Sequence, residues 1–138
     1  MDLRNDASHG TLSELEGAEN QLRYCQLIRG LISSLTGYFS KALVMARVKS
    51  GKSKKIGKVT EIFKRSQAFI ITLELGTKIE CGQAIHLIGS SHYQFDTIRT
   101  LQNNGTDTTM FEATESHLEA GATCGNLPNA MNEVYLDL

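Results

Sequence analysis

The residues of this chain that could do chemistry are few and scattered. Ser50-Gly51-Lys52-Ser53 has the last letters of a phosphate-binding loop, in which backbone N–H groups cradle phosphates and a lysine reaches the outer ones. The full pattern needs a glycine where Ala46 stands, with a buried strand before it and a helix after it, so nucleotide binding is not expected. His86, His92 and His117 could join Cys81 or Cys124 around zinc, since neutral imidazole and thiolate both ligate it. Their spacing follows no ligand pattern, and His86, between the apolar Ile85 and Leu87, is expected on the outward side of a strand. Neither a metal nor a cofactor is expected. Cys81, His92 and Asp96 would supply a nucleophile, a base and an orienting acid, but a chain of this size yields such a trio by chance. No catalytic residue is assigned, and the chain is expected not to be an enzyme.

Charge gives the firmer clue to a partner. The formal net charge is -1, yet residues 41 to 65 hold nine basic side chains against Glu61, a local balance of +8. Residues 66 to 138 hold Lys78 and Arg99 against nine carboxylates, a balance of -7. A lysine-rich stretch interrupted by glycine and serine can release counterions on meeting RNA phosphates; the bland alternative is a solubilising linker. Lys49, Lys52, Lys54, Lys55, Lys58, Lys64 and Arg65 are the candidate RNA-binding residues. Phe63, Phe69, Tyr93, Phe95, Phe111 and Tyr135 could stack on bases, although aromatics on alternating strands are more often core.

Short strands must position these groups. Ile56–Phe63 and Ala68–Glu74 read as a hairpin across the polar turn 64 to 67. Ala84–Ile88, Tyr93–Leu101, Thr109–Ala113, Thr123–Leu127 and Glu133–Leu138 follow, separated by Gly89-Ser90-Ser91, Asn103-Asn104-Gly105 and similar turn residues. Roughly six or seven strands at regular spacing predict a small closed barrel or sandwich.

The first 44 residues obey a different period. Leu12, Leu15, Ala18, Leu22, Cys25, Ile28, Ile32 and Leu35 recur every three or four positions, which predicts an amphipathic helix of about seven turns with one apolar face to bury. Thr11-Leu12-Ser13-Glu14 supplies a capping box, while Gly17 and Gly30 each weaken the helix by about 1 kcal/mol relative to alanine. Either this helix packs on the strands or on a second copy, or residues 1 to 44 do not belong to the working protein and Met45 is the natural start. The organisation expected is residues 1 to 44 as the helical segment, 45 to 55 as a basic connector and 56 to 138 as the barrel.

The order of these segments resembles a known family. Ile56-Gly57-Lys58-Val59 looks like the opening of the small translation elongation factor-like barrel, the second domain of translational GTPases. Ile79 to Gly89 resembles that family's hydrophobic-x-x-G-D-x-I-x-I-x-G strand, with Gln83 in place of the usual Asp. Thr97 to Gln102 resembles its V-x-S-M-Q strand, Leu118 to Gly125 its A-x-A-G-x-x-V-G turn, and Glu133-Val134-Tyr135 its G-D-x-V-Y ending. The resemblance covers about 83 of 138 residues and extends to the C-terminal barrel of collagenase-like peptidase-family proteins. It implies a mainly β chain with a six- to seven-stranded translation-factor-type barrel, to which the periodicity adds the N-terminal amphipathic helix. It also implies a non-catalytic binding module without a GTPase domain, touching tRNA, ribosomal RNA or a ribonucleoprotein. The alternative is a protein-interaction accessory docking on a separately encoded enzyme of the collagenase-like peptidase family.

Composition is consistent with a soluble globular chain, at 41% hydrophobic residues. No apolar run reaches the roughly 20 residues needed to span a bilayer. Asp2 and Asp6 stand where a signal peptide would carry lysine or arginine, so the cytoplasm is the expected location. Cys25, Cys81 and Cys124 form an odd set without C-x-x-C spacing and are expected to be buried free thiols.

Overall fold

A computed structural model describes residues 12–90, 92–115 and 118–138. These form helix α1 (Leu12–Lys49) and ten strands, and the chain divides into two compact units with the boundary between Thr36 and Gly37, inside the helix.

In the first unit α1 is built largely of good helix formers, and Gly17 and Gly30 do not interrupt it. Arg23 donates to the Glu19 carboxylate one turn earlier at 2.7 Å, a pair worth a few tenths of a kcal/mol. The apolar face is open in the single chain. Leu22, Leu27, Ile28, Leu31, Ile32 and Leu35 are all 48 to 69% exposed, and Cys25 is an exposed thiol rather than a buried one. Thr11, of the expected capping box, lies outside the described residues.

In the second unit the helix runs on to Lys49, through sequence read as the basic connector. It stops because of Gly51, which sits at φ +71°, where only glycine is unstrained. The Gly51 N–H donates to the Val48 carbonyl and the Lys52 N–H to the Arg47 carbonyl, a Schellman cap that satisfies carbonyls the helix leaves unpaired. The half phosphate loop is therefore a helix terminator. Val44 is buried with Ile88 and Tyr135, while Tyr38, Phe39 and Leu43 on the same segment are exposed.

The strands are β1 (Ser53–Phe63), β2 (Ala68–Leu73), β3 (Lys78–Glu80), β4 (Ala84–Ile88), β5 (Tyr93–Thr97), β6 (Thr100–Asn103), β7 (Thr106–Thr108), β8 (Met110–Glu112), β9 (Glu119–Thr123) and β10 (Glu133–Asp137). Eight make one antiparallel sheet in the order β5-β4-β10-β1-β2-β9-β6-β7, and β3 pairs with β8 separately. The six- to seven-stranded closed barrel is thus corrected to ten strands with an open main sheet. Its edges, β5 and β7, do not pair with each other. Alternating apolar residues specify strands and their buried faces, but not whether the last ladder closes. The chain itself joins one edge to the far side, because only Ile98 and Arg99 separate β5 from β6.

One core gathers Ile56, Val59, Phe69, Ile71, Ile85, Leu87, Ile98, Leu101 and Val134, all nearly inaccessible to solvent. Gly57 lies where β1 changes register against β10, and a Cβ there would collide with the Thr72 carbonyl oxygen. That close backbone approach, rather than a turn, is why glycine follows Ile56. β4 is buried on both faces. Ile85 and Leu87 enter the core, while the helix end covers Ile88 and its surroundings, so His86 is buried and not outward as expected.

Candidate functional site

The seven basic residues read from the sequence do not form one patch. Lys49 ends α1, Lys52 follows Gly51, and Lys54, Lys55 and Lys58 lie on β1. Lys64 and Arg65 sit in the turn after β1, about 30 Å from Lys54 at roughly 3.3 Å per strand residue. Lys55 is committed to Glu133 at 2.5 Å; the same carboxylate accepts from the Tyr135 hydroxyl at 2.8 Å. The Lys55 hydrogen bond, followed by that of Tyr135, holds the Glu133 carboxyl below its ordinary range. In turn burial, with this carboxylate beside it, pushes the Tyr135 hydroxyl up to about 12.

Two polar clusters were not legible in the sequence. Register places Ser53 of β1 opposite Asp137 of β10, and Asp137 Oδ1 accepts from Ser53 Oγ at 2.5 Å and Arg47 Nε at 3.0 Å. His86 Nε2 approaches the same oxygen at 3.4 Å, and its Nδ1 pairs with the Tyr93 hydroxyl at 3.0 Å. The Ser53 hydrogen bond leads in keeping Asp137 ionised below the ordinary carboxylate range. A nucleophilic serine must hand its proton to histidine. Here hydroxyl and imidazole converge on one carboxylate oxygen instead, which fastens the helix end to the sheet.

Asp96 forms the second cluster. Its carboxylate accepts from the backbone N–H groups of Thr97, Gly125 and Asn126 at 2.8 to 2.9 Å and from Gln94 at 3.2 Å. Burial works to raise this pKa, but the converging donors outweigh it and bring the value to about 2. Cys124 is buried beside it and donates to the Asn126 carbonyl; burial, then the Asp96 charge, pushes the thiol up to about 11. These contacts clip the loop after β9 onto β5. None involves Cys81 or His92, so the nucleophile, base and acid read from the sequence are not assembled. Among the described residues no three His, Cys, Asp or Glu side chains are grouped to hold a metal; His117 lies outside them.

A trough of about 410 Å³ lies on the outward face of β2, β9 and β6. The register sets Ile70, Gly121 and Gln102 in one row, and Ala68, Thr123 and Thr100 in the next. Gly121 lowers the floor between Ile70 and Gln102, and the hydroxyls of Thr100 and Thr123 are bonded to each other at 2.7 Å. Phe63, nearly half exposed, and Ser66 rim one side, next to Lys64 and Arg65. Asn104-Gly105 rims the other, both at positive φ in the tight β6–β7 turn. The signal that could have found this site is the small-residue run Ala120-Gly121-Ala122 on β9, which the sequence reading took for a turn.

Comparison with known proteins adds a fold. No family signature and no curated protein sequence matches this chain. Two crystal structures do match, both of the C-terminal domain of a Geobacillus thermoleovorans protein assigned to the U32 peptidases, one of them a selenomethionine variant. Each has a TM-score of 0.51 at 8% identity; they cover 61 and 62% of this chain and 99 and 92% of the domain. The likeness is one of fold alone. It overturns the resemblance to the translation elongation factor barrel, and the open sheet agrees with that correction. Among the described residues no helix is long and apolar enough to cross a membrane.

Proposed function

We propose that this chain is a non-catalytic accessory module that docks on a partner protein, with an enzyme of the U32 peptidase kind as the first candidate. The observation that carries this reading is the trough over Gly121. It offers an apolar floor for one side chain between Phe63 and Ile70, hydrogen-bonding groups at Thr100 and Gln102, and one charged lining group, the Glu119 carboxylate. That chemistry suits an extended partner segment carrying an apolar residue beside a basic one. The shared fold with a peptidase's C-terminal domain supports the class of partner. RNA contact is the weaker reading, since the basic residues are spread along β1 and Lys55 is already paired.

A photo-crosslinking residue in place of Gln102, in the full chain, tests the proposal in native extract, with candidate partners then purified for direct titration. Capture and titrated affinity should fall at least roughly tenfold with Gly121→Val, which fills the floor, and with Phe63→Ala, and should persist with Lys49, Lys52 and Lys54 changed to Ser. Gly121 has ordinary φ, and a Cβ there meets the Gln102 side chain at 3.4 Å, so the fold should tolerate the change. Capture that ignores both groove variants, or that nuclease and the lysine changes abolish, refutes the accessory reading.

A further inference from the structure

The helical part of the first unit carries a surface that the trough does not explain. Tyr24, Ile28, Leu31 and Leu35 are spaced four, three and four apart, the a and d positions of a heptad repeat, and the sequence continues that spacing at Tyr38, Ala42 and Met45. Tyr24, Ile28, Leu31 and Leu35 are all exposed, flanked by exposed Leu27 and Ile32. An apolar surface of this kind on a folded chain marks an interaction site.

We infer that this stripe pairs with the same stripe of a second copy of the chain. Three observations select that occupant. First, the heptad spacing is the geometry in which a helix face is complementary to itself, each side chain inserting between four of its counterpart. Second, positions 24, 25, 27, 28, 31, 32, 34 and 35, the seam and its borders, contain no charged residue. Nothing there repels an identical chain, and nothing selects a partner of opposite charge. The charges of this stretch lie elsewhere on the helix, with Arg23 held by Glu19 and Arg29 beside the polar positions Gln26 and Ser33. Third, the area suffices. Six large side chains each more than about half exposed offer roughly 100 Å² apiece, so a pair of chains would cover on the order of 1,000 Å², the scale at which specific interfaces begin.

Sedimentation of the purified full chain across a wide concentration range tests this. The expected result is a mass at twice the 15.2 kDa of one chain, or a higher multiple, at micromolar concentration. Changing Leu31 and Leu35 together to Glu should weaken association by at least about a hundredfold, because like charges would then face each other in the seam. Arg29→Glu, off the seam, should leave it unchanged. Because α1 could lose helicity when its seam is broken, a second measurement keeps the sequence nearly intact. A photo-crosslinking residue in place of Leu31 should give covalent homodimer from purified protein, and in place of Arg29 should not. A mass of one chain at every concentration overturns the inference. So do association that survives the double change and crosslinks that are absent at Leu31 or equal at the two positions.

Discussion

Replacing Asp96 with Asn removes one negative charge from the centre of a ring of donors while changing almost no volume. In the native protein both carboxylate oxygens are used, Oδ1 by Thr97 and Gly125, Oδ2 by Asn126 and Gln94. An amide keeps one acceptor and turns the other into a donor that faces an N–H. The fall of the Asp96 pKa from 3.8 to about 2 gives the scale. At about 1.36 kcal/mol per unit it corresponds to roughly 2.5 kcal/mol, which partial exposure and solvent screening reduce to about 1 to 2 kcal/mol. The folded value lies below the unfolded one, so this stabilisation is complete above about pH 4 and drains away as pH falls toward 2. Urea unfolding of wild type and Asp96→Asn at pH 7 should therefore differ by about 1 to 2 kcal/mol. Near pH 2 the wild-type carboxyl is itself partly protonated and resembles the amide, and the gap should shrink by about half or more. Equal stability at pH 7, or a gap of the same size at both pH values, would refute the argument that the N–H donors hold this carboxylate ionised.

Other substitutions separate steric from conformational causes. Gly57→Ala should cost more than about 3 kcal/mol or prevent folding, read by thermal melting, because its Cβ meets the Thr72 carbonyl. Gly51→Ala should cost only about 1 to 2 kcal/mol in the same melt, since its Cβ meets nothing and only the positive φ is penalised. Thiol labelling at pH 7, resolved by mass spectrometry, should modify exposed Cys25 first and Cys124 only after unfolding. With a pKa of about 11, about one Cys124 in ten thousand is thiolate at that pH, and that one is buried. Rapid labelling of Cys124 in the folded chain would contradict this packing.

The sequence revealed what is local. The β1–β2 hairpin was legible because Ile56, Val59, Phe69, Ile71 and Leu73 mark buried positions around a polar turn. The start of β1 at Ser53 was not, because it is fixed by pairing with Asp137 across more than eighty residues. β5 and β6 read as one strand, since Tyr93, Phe95 and Leu101 keep one alternation on either side of the bend at Ile98-Arg99, although Thr97 and Arg99 interrupt it. β3 and β7, three residues each, are too short to carry a period. β9 was misplaced because Ala120, Gly121 and Ala122 lack the bulk that signals a strand, the same smallness that opens the trough. His86 looked outward from alternation alone, and the second layer that buries it comes from Val44, more than forty residues away.

The position of β10 has a consequence for how the chain is made. It is the last strand in sequence, yet it lies between β4 and β1, so the ladder is two separate pieces until it arrives: β5-β4 on one side and β1-β2-β9-β6-β7 on the other. A ribosome that has released everything up to Pro128 has delivered both pieces and no means of zipping them together. Until Val134, Tyr135 and Leu136 emerge, the neighbouring edges of β1 and β4 stay open, with apolar residues beside them that could pair with another nascent chain. Pulling that strand out of the ladder would recreate the same state in the folded molecule, so the joint between the two pieces rests on one short strand.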